Sequence, residues 1–260
     1  MPALIDTHAH IQDKAFDPDR DAVVERMRSA GVTAAITVGC DLADTERAFE
    51  TAERYDLRAT AGIHPHEAKS APADIRAAFA PFLKNERIVA IGETGLDYYY
   101  DNSPKDAQQR VLREQIAIAR DANLPLVFHH RDAFEDFTAI LREEWRPGMR
   151  GVVHCFTGDT AQARTYVDEF GLYLGIGGII TFKTAQPIRD AVVATGIEHV
   201  VLETDCPYLA PIPHRGERNE PSFIVDTAKY VAGLLQLPFD DIVSRTTENA
   251  KQLFGLAVSS

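Results

Sequence analysis

A single-domain (β/α)8 TIM barrel of the α/β class is the fold the sequence predicts, and three observations predict it. Short β-branched or apolar runs alternate with helically spaced segments along the whole chain. The runs are continuously apolar, as parallel strands covered by helices are, and lack the polar alternation of a half-exposed sheet. The chain has 260 residues, an ordinary length for such a barrel. In chain order, a strand over 3–6 leads into a helix over 21–30, and a strand over 34–38 into a helix over 42–55. Strands over 58–63 and 88–92 follow, the second leading into a helix over 106–123. Strands over 126–129 and 151–154 precede helices over 134–145 and 160–170, and strands over 172–176 and 200–203 complete the set. The alternative is an open doubly wound sheet. Its G-x-G-x-x-G fingerprint is absent after the first strand, where Asp6-Thr7-His8-Ala9-His10 stands instead. No Pro/Ser/Gly-rich linker or composition break divides the chain, and residues 257–260 read as a frayed tail.

Composition narrows the function classes. With 45% apolar and 25% charged residues the chain is neither disordered nor a disulfide scaffold. Cys40, Cys155 and Cys206 are odd in number and form no C-x-x-C pair, so they are expected as reduced thiols. No apolar stretch is long enough to span a membrane, and the start lacks the basic and apolar regions of an export signal, so the cytoplasm is the expected compartment. The formal charge of -12 is the wrong sign for gripping long stretches of nucleic acid, so any such substrate must be held locally.

His8 and His10 end the first apolar run, and a spacing of two puts both imidazoles on one side of a strand. Glu93, His129, His154 and Asp205 stand at four later strand ends. In a barrel these ends surround one mouth, which would gather the six residues into a single cluster. Four histidines and two carboxylates suit two divalent cations with one carboxylate bridging. The plain alternative is six independently buried polar residues.

Six segments carry a resemblance to a known family: Ile5-Asp6-Thr7-His8-Ala9-His10, Gly62-Ile63-His64-Pro65-His66, Ile91-Gly92-Glu93-Thr94-Gly95-Leu96-Asp97-Tyr98, His129-His130-Arg131-Asp132-Ala133, His154-Cys155-Phe156-Thr157-Gly158 and Glu203-Thr204-Asp205-Cys206-Pro207-Tyr208-Leu209-Ala210-Pro211. In this order they resemble the TatD family of metal-dependent hydrolases over nearly the whole chain. The resemblance implies a TIM barrel with two adjacent metal sites and, in characterised members, magnesium- or manganese-dependent deoxyribonuclease activity, in some a 3′ to 5′ exonuclease. It implies His8, His10, Glu93 and Asp205 as ligands of one ion, and Glu93, His129 and His154 as ligands of the other. It also implies that His129 rather than His130 faces the ions, and that His64 contacts substrate or assists proton transfer.

The remaining candidates follow from chemistry. Asp205 is expected to orient the attacking water, because a ligand carboxylate can also accept a proton. Glu203 shares its strand parity and is either a support for the ligands or a buried pairing partner. Arg131, Arg215 and Arg218 are expected to hold phosphate through their guanidinium forks, with surface ion pairs as the alternative. Tyr98 and the adjacent Tyr99 and Tyr100 either stack on a base or pack their loop. Cys155 and Cys206 are expected as packing thiols, and Cys40 at the end of the second strand either packs or approaches the barrel mouth. Imidazole donors favour zinc, nickel or manganese over magnesium. The expected function is a deoxyribonuclease acting on single-stranded DNA ends with two divalent metal ions and no membrane partner. Its rivals are an amidohydrolase-like esterase, lactonase or amidase, including tRNA-linked ester hydrolysis, and a catalytically silent metal-binding scaffold.

Overall fold

Strands β1 (Leu4–Ala9), β2 (Val32–Thr37), β3 (Arg58–Ala61), β4 (Ile88–Asp97), β5 (Leu126–Arg131), β6 (Gly151–Val153), β7 (Tyr173–Ile176) and β8 (Val200–Leu202) form one sheet in sequence order, in a computed structural model that describes residues 3–100 and 102–256. The tail expected at 257–260 lies outside the described residues. Nine α-helices lie among those residues: α1 (Arg20–Ser29), α2 (Leu42–Tyr55), α3 (Ile75–Phe79), α4 (Lys105–Ala122), α5 (Phe134–Glu144), α6 (Thr160–Arg164), α7 (Gln186–Thr195), α8 (Ile224–Leu235) and α9 (Phe239–Phe254). The chain divides into two compact units, one running to Thr37 and resuming at Cys155, the other Val38–His154.

In the first unit β7 pairs in parallel with β8 and β1 with β2. β8 runs on beside β1: Ala9 bridges Cys206, and Asp205 N–H donates to the His8 carbonyl at 2.8 Å. A last strand lying against the first is the closure a barrel requires. Helix α9 packs on both strands with Ile242, Val243 and Leu253 buried. Its limits are chemically marked, since Pro238 precedes it, Asp240 and Asp241 occupy its first turn, and Gly255 takes the left-handed conformation at its end.

In the second unit β3, β4, β5 and β6 pair in parallel in that order. Helix α2 is capped by Asp41, whose side chain accepts from Asp44 N–H at 2.6 Å. Helix α4 buries Val111, Leu112, Ile116 and Ala119, and it also turns two glutamines inward. Gln115 accepts from Ile63 N–H and donates to Thr94 Oγ1 at 2.6 Å. Gln108 accepts from Asp97 N–H at 2.8 Å and donates to the Asp97 carbonyl at 3.0 Å. The far ends of β3 and β4 are thus fixed by side-chain amides.

All eight expected strands are present, and β1, β4 and β5 run further than their apolar stretches. β1 continues through Thr7 and His8, and β4 through Glu93 and Thr94 to Asp97, with every residue of both buried. Hydrogen bonds make this tolerable: Thr7 Oγ1 donates to the Leu202 carbonyl at 3.0 Å, and Gln115 satisfies Thr94. The helix expected over 160–170 is α6 followed by a π-turn over Thr165–Glu169.

Gly95 sits inside β4 at φ +150, where a Cβ would collide with the His129 carbonyl oxygen of β5. Gly95→Ala is therefore expected to cost about 3 kcal/mol or more in denaturant unfolding, through backbone conformation and a clash that no rotamer relieves. A loss under about 1 kcal/mol would show that β4 yields there.

Candidate metal centre

Among the described residues, metal-ligating side chains gather within each unit. In the first unit, His8 Nε2 and His10 Nε2 lie 3.3 Å apart, and Asp205 Oδ1 is 3.8 and 3.5 Å from them. Donors about 2.1 Å from a tetrahedral ion sit about 3.4 Å from one another, so this spacing suits a divalent cation. The parity expected of His8 and His10 therefore holds. Asp205 follows β8 at a left-handed φ of 56, and its backbone bond to His8 sets the carboxylate beside the two imidazoles.

Beneath this cluster Asp6 is fully buried. It accepts from Thr204 N–H at 2.9 Å and from Thr204 Oγ1 at 2.6 Å, so it braces the residue preceding Asp205. Burial, opposed by the bonds from Thr204 and His8 and aided by the Glu203 charge, raises the Asp6 pKa from 3.8 to about 7. Glu203 is also fully buried and accepts from Cys155 N–H at 2.5 Å, which makes it a support for the backbone that follows β6.

In the second unit three imidazoles converge on one carboxylate oxygen. Glu93 Oε1 is 2.9 Å from His129 Nδ1, 3.1 Å from His154 Nε2 and 3.3 Å from His64 Nε2. Burial alone would raise the Glu93 pKa, but the electrostatic pull of the His154 and His64 rings and the bonds from His129 and His154 hold it well below the carboxylate range. Glu93 is therefore an anion, and an anionic oxygen among imidazole nitrogens fits a borderline divalent metal.

The histidines differ in their second nitrogen. His64 Nδ1 accepts from His66 N–H at 3.1 Å, which leaves the ring proton on Nε2, toward Glu93. Burial, partly offset by Glu93, drops the His64 pKa to about 4, so this ring is neutral and steadies the carboxylate. His129 Nε2 instead reaches Asp97 Oδ2 at 2.9 Å. Burial would depress the His129 pKa, but the bonds to Asp97 and Glu93 raise it. A carboxylate on one imidazole nitrogen with the other facing the ligand cluster is the usual setting of a metal-binding histidine.

Asp97 was not singled out from sequence, although it shares the face of Glu93 four residues on along β4. It is fully buried, and Oδ2 also takes His66 Nε2 at 3.0 Å. Its other oxygen accepts from Tyr99 N–H at 3.0 Å and Tyr100 N–H at 2.9 Å. Burial opposes ionisation, yet the His129 and Tyr100 bonds hold the Asp97 pKa well below the carboxylate range.

Other expected residues fall elsewhere. His130 faces away from Glu93 and packs near Phe134 and Phe137. Cys40, for which packing and an approach to the mouth were the alternatives, places Sγ 3.9 Å from Glu93 Oε2. Cys206 is buried, and that burial pushes its thiol pKa up. Arg218 is bonded at 2.8 Å to each oxygen of Asp19, which takes the ion-pair side of the alternative. Arg215 lies over the Phe182 ring at 4.0 Å, and Arg131 lies over the rings of Tyr99 and Tyr100. Tyr98 donates its hydroxyl to Asp136 at 2.8 Å beneath Lys105, so this ring packs its loop.

Residues 5–255 match the family described as TatD related DNase. The chain belongs to the TatD family. It is 43% identical over 252 residues to the uncharacterized metal-dependent hydrolase YabD of Bacillus subtilis (strain 168), covering 96% of this chain and 98% of that one. It is 34% identical over 261 residues to the 3'-5' ssDNA/RNA exonuclease TatD of Erwinia amylovora, covering 97% and 100%. The crystal structure of YJJV, a TatD homologue from Escherichia coli k12, matches with a TM-score of 0.91 at 29% identity over 98% of each chain. The TatD-family chain is thus a metal-dependent hydrolase, and its fold class is the (β/α)8 barrel that the strand pattern predicts.

Two expectations follow from this TatD-family centre. Asp97→Asn should weaken zinc binding about 10- to 100-fold in a competition titration, since an amide no longer anchors the His129 proton as an anion does. Unchanged affinity would confine Asp97 to holding the loop. In chelator-treated protein, folded Asp6 stays protonated between pH 3.8 and about 7 while the unfolded chain ionises. Unfolding free energy should therefore fall as pH rises through that window, by up to about 1.4 kcal/mol per pH unit, and level off above it. Asp6→Asn should remove this component of the slope in urea titrations.

Proposed function

We propose that this TatD-family hydrolase cleaves phosphodiester bonds in nucleic acid, as a deoxyribonuclease working from single-stranded 3′ ends. The observation that carries the reading is the buried anion Glu93 with three imidazole nitrogens on one oxygen, within a chain matched over residues 5–255 by the TatD related DNase family. The name of the Erwinia amylovora relative supports the polarity and the single-stranded substrate.

In this reading His8, His10 and Asp205 would hold one divalent ion, and Glu93, His129 and His154 a second. Bound divalent ions supply Lewis-acid activation of the phosphoryl group and offset the charge that develops on it. The imidazole-rich donors favour zinc, manganese or nickel. Asp205 accepts the proton released as water adds to phosphorus. The P–O bond to the leaving sugar oxygen breaks as that oxygen takes up a proton, returned from Asp205 or drawn from solvent, and the products are an alcohol and a phosphomonoester. Neutral His64 keeps its Nε2 proton on Glu93 and so holds that carboxylate in one orientation.

Hydrolysis of end-labelled single- and double-stranded DNA with added Mn2+, beside a lactone and amide panel, tests the assignment. Single strands should shorten from the 3′ end, and turnover confined to the lactones or amides would overturn it. Glu93→Gln should lose metal and activity together, because a neutral amide removes the anion shared by the ligand set. Asp205→Asn should keep metal yet lose about 10²- to 10⁴-fold in kcat, the usual contribution of a general base. Near wild-type turnover in Asp205→Asn at saturating metal would remove Asp205 from proton transfer.

A further inference from the structure

Immediately after β4, two aromatic rings stand in solvent. Tyr99 is 58% exposed and Tyr100 53%, whereas the neighbouring Tyr98 is tied to Asp136 and Gln109 and covered by Lys105. Packing of this loop is therefore the work of Tyr98. The Arg131 guanidinium lies over the Tyr99 ring at 3.9 Å and the Tyr100 ring at 4.7 Å, and the two rings meet edge to face with centroids 4.9 Å apart. Tyr100 also stands edge to face with His66 at 5.5 Å. Exposed apolar residues scattered singly need no explanation, but two adjacent rings ordered around a cation form a surface with a definite chemistry.

The same ledge is fixed to the ligand cluster. Asp97 Oδ1 accepts both tyrosine N–H groups, and Oδ2 takes the His129 ring whose other nitrogen meets Glu93. Tyr98 N–H donates to the Arg131 carbonyl at 2.9 Å, so the strand bearing Arg131 is held as well. A surface prearranged in this way loses little conformational freedom when a ligand arrives.

We propose that Tyr99, Tyr100 and Arg131 form a subsite for one unpaired nucleobase and its adjacent phosphate, and so make the enzyme selective for single strands. This rests on the phosphodiesterase reading above. Every base offers a π-face to an aromatic ring, and only an unstacked base has that face uncovered, which excludes bases inside a duplex. A guanidinium held against rings rather than against a carboxylate keeps its N–H donors for phosphate oxygens. On a chain of formal charge -12, such a local cation is what a polyanion needs for a foothold.

The test is a cycle between ring and base, run on the Mn2+-loaded enzyme. KM is measured for an oligothymidylate and for a strand of equal length whose sugars carry no bases. Wild type should favour the oligothymidylate by about 5- to 150-fold, the range of one stacked base. Tyr99→Ala or Tyr100→Ala should raise KM for the oligothymidylate by a comparable factor and add little on the abasic strand. The corresponding Phe variants, which keep the ring, should restore wild-type KM. Equal losses on both strands, or Phe variants as weak as the Ala variants, would overturn the subsite. Wild-type hydrolysis of DNA with KM unmoved in the Ala variants would overturn the subsite and leave the phosphodiesterase reading standing. Wild type inert on every strand would end both.

Discussion

An anion kept in a buried place is the constraint on which the second unit turns. Glu93 is almost wholly removed from water, and a carboxylate there would ordinarily take up a proton. Three imidazole nitrogens on one of its oxygens reverse that preference. Each imidazole is held in turn by a further contact or by its strand: His64 by a backbone N–H, His129 by Asp97, and His154 by a backbone bond from its own N–H to the Phe128 carbonyl. A change in any of these is felt at the carboxylate.

The strand pattern carried most of the fold because buried parallel strands leave little else for a sequence to show. All eight strands were legible from apolar runs, yet how far β1 and β4 continue was not, since Thr7, His8, Glu93 and Thr94 lie at or beyond the end of the apolar run. Their hydrogen-bond partners lie far away in the chain, as with Thr7 on Leu202 and Thr94 on Gln115. Asp97 was hidden for the same reason: with the strand taken to stop at residue 92, its parity with Glu93 had no meaning. His8, His10, Glu93, His129, His154 and Asp205 stood out because each follows an apolar run. Within its own unit, each of the two sets is brought together.

Charge was the harder reading. Arginine near phosphate chemistry suggests a clamp, but the type of residue does not tell whether a partner already occupies it. Arg218 is taken by Asp19, and the same aspartate also meets Arg26, which is itself bonded to Glu220. That network ties the segment after β8 to α1, and spends its cations on the fold. Arg131 differs because its guanidinium lies against rings rather than a carboxylate. Only the folded surroundings distinguish these uses.

The bond between Asp97 and the tyrosine turn runs through backbone amides, and this has a consequence for how such a chain can vary. Any residue except proline supplies the N–H that Asp97 requires at positions 99 and 100. The side chains there are consequently released from the task of keeping the turn in place. Descendants of this sequence can exchange them, and with them the shape presented to an incoming molecule, while the ligand histidines below remain undisturbed. Heritable change in what is recognised is thereby uncoupled from change in how bonds are cut.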